Sequence, residues 1–392
     1  MDRIFTDFPS SVIQEIKSSD YAWFVEGENR DYISDEIMHL TSSEVSALTR
    51  AATKAHDLFT IAAEHVITNK LYAEIGIPDN MIELIEYSWN NHHEHLLGRY
   101  DIAGGLGGAP AKVLEYNADT ATMLVESLHF QDIINDLIGR TKYRGQFNTL
   151  ESKLVSAFQR LKSNRQGSHP SLLVTSLGYV EDKLNASMIV MAAEKAGWET
   201  AYADLEEVHF SDEGVFLELE DGEFVQYDFM YKFVPWEFIA VEEPELMAEL
   251  TSLVTGGLVQ IINPAYSIVL QSKGLLKYVY ELDKRSPIVL KTSFEPTDFH
   301  NQAYVKKVFF GRLGENMSIH GKDHSIVEQT SGDFGKFGSI YQEFTELYKD
   351  DEGYLYQAGV YYVNGSPCCI SFRANEKLIM DDDSEFVAHV IS

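Results

Sequence analysis

Apolar and polar positions alternate along this chain with two different periods, and the points where the period changes divide it. From 42 to 69, apolar residues recur every three or four positions among strong helix formers, behind the cap-like run Thr41-Ser42-Ser43-Glu44. That pattern predicts one long amphipathic helix. The first 95 residues as a whole read as mainly helical. From Leu96 the period shortens to two around a glycine cluster, and a second helical stretch follows over 122–162. SNRQGS (163–168) has the composition of a linker. Beyond it, SLLVTSLGY (171–179) reads as a buried strand, 188–196 as a helix crossing over from it, and 200–203 as a further strand, together a small βαβ unit. Residues 215–229 alternate like a hairpin around Asp221-Gly222, and helices return at 244–262 and 272–282. The remainder is β-rich, with hairpin signals at Asp351-Glu352-Gly353 and Asn364-Gly365. The expected architecture is α/β or α+β, in three stretches: 1–165, 166–262 and 263–392.

Composition narrows the function classes. Of 392 residues, 45% are hydrophobic, enough for a substantial core, so disorder is excluded. Acidic side chains outnumber basic ones by 61 to 31, a formal charge of −30. Such a surface repels phosphate backbones and anionic lipid, which argues against nucleic-acid and membrane partners. It suits either plain solvation or a cationic small molecule. Cysteine is confined to the adjacent Cys368 and Cys369, so a disulfide framework is excluded and a packing role is expected. The run 250–272 is uncharged, but Thr251, Ser252, Gln260, Asn263 and Pro264 interrupt it, and a helix ending at Pro264 is the better reading than a membrane span. No secretory pattern is visible at MDRIFTDFPSS, and a soluble, cytoplasmic protein is expected.

The segment LLGRYDIAGGLGGAPAKVLEYNADT (96–120) carries the chemistry. Two alternating stretches flank Gly104–Pro110 as in a hairpin. Period two sets Tyr100 and Ile102 with Leu114 and Tyr116 on an apolar face, and Arg99 and Asp101 with Glu115, Asn117 and Asp119 on the other. One face packs a core while the other presents a cation beside several oxygen ligands. Oxygen ligands suit a hard cation such as Mg²⁺, and a neighbouring arginine suits a phosphoryl group held bidentately. An ordinary solvated strand face, with arginine pairing weakly to carboxylates, fits the same pattern. Other candidates are weaker. NNHHEH (90–95) lacks metal-site spacing and reads as a polar helix end. No GxSxG, GxxxxGK[ST] or GxGxxG occurs. The acidic run 381–385 reads as a solvated turn.

This segment resembles the GRxD…EYNADT signature of the glutathionylspermidine synthase family, whose synthetase part is an ATP-grasp-type ligase. Glu181-Asp182, YKFVPWE (231–237), NPAYSIVLQSKGLLKYVYEL (263–282), YVKKVFFGRLGEN (304–316), IYQEF (340–344) and GSPCCISFRANEKLI (365–379) resemble further family blocks in the same order. The resemblance implies an ATP-grasp-like fold with a pre-ATP-grasp-like βαβ unit and a helical N-terminal region. It implies Mg²⁺, two ions, on Asp101, Glu115 and Asn117, and places Arg99 at the phosphoryl-transfer centre. Lys273 and Lys307 stand at nucleotide-binding lysines, with Arg373 near the reacting carboxylate. Alternation alone shows that Lys306 and Lys307 point apart, not which is inside; the resemblance favours Lys307. Gly311 and Gly314 suit a loop closing over triphosphate, and Gln342 with Glu343 an adenine-binding hinge. The metal-ligand segment precedes the lysines, the permuted order of the family.

The implied activity is an ATP-dependent carboxylate–amine ligase working through an acyl phosphate, with a glutathione-like peptide carboxylate and a polyamine-like amine as substrates. No cysteine precedes Cys368, so the amidase activity of bifunctional members is not expected. Two departures stand out: KKVFFGRLGEN lacks the proline usual after the second lysine, and has leucine where the family often has glutamate. A nucleotide-binding regulatory module and a kinase of a small carboxylate remain as alternatives.

Overall fold

The computed structural model describes residues 5–7, 10–29, 31–138, 145–163 and 170–392. Its frame is an eight-stranded sheet that joins both ends of the chain to the signature hairpin. The main path runs Phe5–Asp7, Ile33–Leu40, Glu385–Ile391, Ser366–Asn375, Leu355–Val363, Leu97–Ala103 and Lys112–Asn117. The last strand in chain order, Glu385–Ile391, lies parallel to Ile33–Leu40, while the other pairings on this path are antiparallel. A four-stranded parallel sheet, ordered Gln260–Ile262, Phe229–Lys232, Ser171–Ser176, Glu199–Asp204, contains the expected βαβ unit, with helix Val180–Lys195 as its crossover. A five-stranded antiparallel sheet, including Tyr304–Val308 and Ser339–Glu343, faces the hairpin, and a three-stranded sheet spans Val208–Tyr227. The mixed α/β class is as expected.

The long helix Ser42–Asn69 forms where its pattern predicts. Thr41 accepts from Glu44 N while the Glu44 carboxylate accepts from Thr41 N, a complete capping box. Its buried stripe, Leu48, Ala51, Ala55, Phe59, Ala62 and Val66, repeats every three or four residues and packs beneath the hairpin and against helix Leu275–Leu282. The small alanines let the helix approach the sheet closely. Both terminal hairpin turns form as read, and Asn364 and Gly365 take φ of 49° and 75°, as a two-residue turn with two positive φ angles requires.

The N-terminal region is mainly helical, with Ile33–Leu40 a strand within it, its end buried against Glu385–Ile391. Two expectations are corrected. The helix expected over 244–262 ends at Thr255: Gly257 takes φ of 73°, and Gln260–Ile262 becomes a strand of the parallel sheet. The stretch 122–162 is two helical pieces, with Gln146–Thr149 held between them on the strand bearing Cys368. Of the SNRQGS linker (163–168), Ser163 ends helix Leu150–Ser163 and 164–168 lie outside the described residues. Among the described residues, no helix is long and apolar enough to cross a membrane.

Candidate active site

The hairpin Leu97–Ala103/Lys112–Asn117 pairs Arg99 with Asn117 and Asp101 with Glu115, then slips by one residue at Asp101/Ile102. Opposed carboxylates repel, and directly opposite residues lie close enough for that to matter. Cations relieve it. Arg99 Nε donates to Asp101 Oδ1 at 2.8 Å and Nη2 to Oδ2 at 3.3 Å, while Asn117 Nδ2 donates to Asp101 Oδ2 at 3.0 Å. Arg99 Nη1 also reaches the Thr122 carbonyl at 3.3 Å. Gly359 faces Asp101 from the next strand, and a Cβ there would stand 2.9 Å from Arg99 Cδ. Only glycine leaves open the trough in which the arginine lies.

The slip corrects one assignment. Leu114 is the extra residue of a bulge, so it leaves the apolar face and lines the cavity beside Glu115, while Val113 takes its place opposite Ile102. Asp119 is also reassigned. It lies buried by the end of strand Phe229–Lys232 of the parallel sheet, accepting from Lys232 Nζ at 2.8 Å, Trp236 N at 2.9 Å and Ser267 Oγ at 3.1 Å. It anchors structure and does not face the cavity.

Glu115 is met from above by two lysines. Lys273 Nζ lies 3.6 Å from its carboxylate and donates to the Gly311 carbonyl at 2.9 Å; Lys307 Nζ lies 3.9 Å away and donates to the Leu114 carbonyl at 3.1 Å. Burial alone would raise the Glu115 carboxyl, but Lys273, Lys307 and Arg99 together hold it below its ordinary value. Burial pulls the Lys307 ammonium down to about 8, against the attraction of Glu115. Lys307 is 4% exposed and faces the cavity, whereas Lys306 on the opposite face is half-buried. The buried cations Arg99, Lys273 and Lys307 exceed the carboxylates Asp101 and Glu115 by one charge, so the cluster attracts an anion.

Arg99, Asp101, Glu115, Asn117 and Lys307 line a cavity of about 620 Å³, while Lys273 stands behind its wall against Glu115 and the Gly311 carbonyl. Gln342, buried on Ser339–Glu343, forms part of its wall with Glu343 and Val305. The loop after Tyr304–Val308 passes over it with Arg312, Leu313 and Gly314 facing inward. Gly314 takes φ of 70°, and a Cβ there would press on the Met380 carbonyl. Arg373 enters from Ser366–Asn375, its Nη2 donating to the Asp381 carbonyl at 2.6 Å while its buried Nε has no partner among the described residues.

Several lining residues were not legible as such. Arg312 pairs with the buried Glu237 at 2.6 Å, joining the loop to helix Trp236–Glu242. Trp23, Phe24 and Tyr32 close one end of the cavity from a segment without motif or periodicity, and Tyr32 donates to the buried Glu126. The acidic run 381–385 is more than a solvated turn, since Asp382 lines the cavity and Ser384 is buried. Cys368 and Cys369 are buried and simply pack. In NNHHEH, the half-buried His95 spends its Nε2 on the Ala118 carbonyl at 2.5 Å. Among the described residues, no three His, Cys, Asp or Glu side chains form a metal cage.

Residues 4–392 match the family model described as glutathionylspermidine synthase pre-ATP-grasp. A candidate acid–amine ligase of Haemophilus influenzae is 26% identical, with 99% of each chain aligned. The trypanothione synthetase of Crithidia fasciculata is 26% identical over 86% of this chain and 53% of its own. The bifunctional glutathionylspermidine synthetase/amidase of Escherichia coli is 25% identical over 88% of this chain and 58% of its own. The chain therefore spans little more than half of the length of these last two. A glutathione synthetase-like effector of Globodera pallida shares the fold, with a TM-score of 0.58 over 91% of this chain and 89% of its own at 8% identity.

Proposed function

The chain belongs to the glutathionylspermidine synthase pre-ATP-grasp family, and from that premise we propose that it is an ATP-dependent acid–amine ligase acting through an acyl phosphate. The observation that carries the reading is the charge arrangement on one wall of the cavity. Arg99, Lys273 and Lys307 surround the opposed carboxylates Asp101 and Glu115, with a surplus of positive charge beside a loop able to cover it. A carboxylate and a triphosphate repel each other, so their reaction needs fixed positive charge where negative charge concentrates.

Asp101, Glu115 and Asn117 fit Mg²⁺. They are three oxygen-bearing side chains on one hairpin face, too few for a closed cage, which leaves positions for water and phosphate. When bound there, Mg²⁺ supplies neutralisation between the triphosphate and the attacking carboxylate. Lys273 and Lys307 bind the phosphates, Gln342 and Glu343 border the base, and Gly311–Gly314 closes over the chain of phosphates to exclude water. Arg99 and Arg373 orient the substrate carboxylate, whose oxygen attacks the γ-phosphate. The acyl phosphate is then captured by an amine, with no protein nucleophile required.

The other end of the cavity supports a cationic amine. Glu181, Asp182 and Asp382 line it between Tyr32, Tyr179 and Phe233, a combination of acid and aromatic surface suited to a polyamine-like chain. The acid partner is a peptide-like carboxylate such as glutathione. Mass spectrometry after incubation with ATP, Mg²⁺, glutathione and a panel of polyamines and amino acids tests this. An amide with one ADP per bond is expected; ADP release that no amine stimulates would refute the ligase.

A further inference from the structure

The amine that enters such a site is an ammonium ion at neutral pH, and it has no lone pair until a proton leaves. Four carboxyls surround the amine end of the cavity: Glu126, Glu181, Asp182 and Asp382. Their surroundings separate them. Glu126 is fully buried behind the wall, and its Oε1 is taken by the Tyr32 hydroxyl. Asp182 is compensated by Arg312, and Asp382 lies on the turn before Glu385–Ile391 between Asp381 and Asp383, with Arg373 acting on it. Glu181 lines the cavity from the first turn of helix Val180–Lys195, and its carboxylate has no hydrogen-bond partner among the described residues.

The Glu181 backbone is fixed relative to the phosphoryl end. Its carbonyl accepts from Asn185 Nδ2 at 2.9 Å, and Asn185 Oδ1 accepts from Leu124 N at 2.8 Å. Leu124 follows by two residues the Thr122 carbonyl that holds Arg99. A buried asparagine thus ties the helix start to the segment that also positions the arginine.

We propose that Glu181 is the general base that takes the proton from the incoming ammonium, a role that rests on the ligase reading above. In that step R–NH₃⁺ passes one proton to the Glu181 carboxylate. The freed lone pair attacks the acyl carbon, and the bond from that carbon to the phosphate oxygen breaks with its electron pair leaving on phosphate. The nitrogen's next proton goes to the departing phosphate, which leaves as hydrogen phosphate, and the Glu181 carboxyl later releases its proton to solvent. The local electrostatics support the role. Glu181 is exposed to the open cavity, and partial desolvation at its wall, with Glu126 and Asp182 beside it, raises the Glu181 carboxyl to about 7 against the pull of Arg373, with Asp382 adding to the rise. A base near the working pH is well matched to proton transfer. Tyr32 faces the same cluster but stays protonated, since burial raises its hydroxyl well above the ordinary value.

Hydroxylamine is unprotonated at neutral pH and needs no base, and saturating spermidine removes any loss that comes only from weaker amine binding. With glutathione and ATP, Glu181→Gln should lose kcat for amide formation at saturating spermidine by ~10²–10⁴-fold, with a smaller loss of hydroxamate formation; a change confined to KM for spermidine would make Glu181 a binding residue only and overturn the assignment. The wild-type amide rate should rise through about pH 7 as Glu181 deprotonates, and Glu181→Asp should retain part of it. Equal losses for both nucleophiles in Glu181→Gln and Glu181→Asp would overturn the assignment. A wild-type protein that forms no hydroxamate would instead remove the acyl phosphate itself, and the base with it.

Discussion

Burial expels charge from the Lys307 side chain while Glu115, 3.9 Å away, attracts it, and burial prevails: the ammonium falls to about 8. The folded value lies below the ordinary lysine value. Lys307 therefore favours the empty fold progressively as pH rises from about 8 into the ordinary lysine range, and below that window the buried ammonium is held at a cost. A bound triphosphate would reverse the balance by stabilising the charged form. Nucleotide affinity should thus be greatest below about pH 8 and decline above it, with a proton taken up on binding inside the window. Calorimetry in buffers of different ionisation heat measures that proton. A flat affinity and no uptake across the window would show that Lys307 does not meet the phosphates. Asp101 makes a second residue-level test. Asp101→Asn keeps the contacts' shape and removes one of two opposed charges, so Mg²⁺-dependent turnover should fall by ~10²-fold or more with the circular-dichroism spectrum unchanged. Near-normal turnover would reject the hairpin as the metal site.

At the scale of elements, the hairpin is held by a buried ion pair that has no part in the chemistry. Lys232, from the parallel sheet, is fully buried and donates to Asp119 at 2.8 Å and to the Val234 carbonyl at 3.0 Å, with its ammonium 4.2 Å above the Trp236 ring. Lys232→Met would leave the buried Asp119 carboxylate without its counter-charge, a loss of ~3–5 kcal/mol that Asp119→Asn in the same chain should partly restore. Urea unfolding reads both variants. A loss under ~1 kcal/mol, as for a surface pair, would mean that the pair does not join the two sheets. Much at this scale was legible: the capped helix, the glycine-turn hairpin and the βαβ unit all follow from period and turn chemistry. The Leu114 bulge was not, because one extra residue leaves the alternation intact until a partner strand is known. Nor was Gln260–Ile262, three residues too short to separate from the helix before it, although Gly256-Gly257 marks the break.

For the whole molecule, the cavity is assembled from distant parts of the chain, from Trp23 to Asp382. Adjacent residues such as Glu181 and Asp182 were visible only as a matching block, while Tyr32 and Glu126 carried no signal, because their partnership spans 94 positions and depends on tertiary packing. Asp119 shows the converse: alternation set it beside Glu115 and Asn117, but the strand ends at Asn117 and a buried lysine from another sheet decides its role. The formal charge of −30 likewise resolves into a solvated majority and a few carboxylates on two cavity walls, one beside cations and one open to them.

The central claim is that a substrate carboxylate takes a phosphoryl group before the amine arrives. Glutathione labelled with heavy oxygen in its glycine carboxylate, incubated with the enzyme, ATP, Mg²⁺ and spermidine, tests it directly by mass spectrometry of the released phosphate. The account predicts one labelled oxygen in phosphate for each amide formed; amide accompanied by unlabelled phosphate would contradict it.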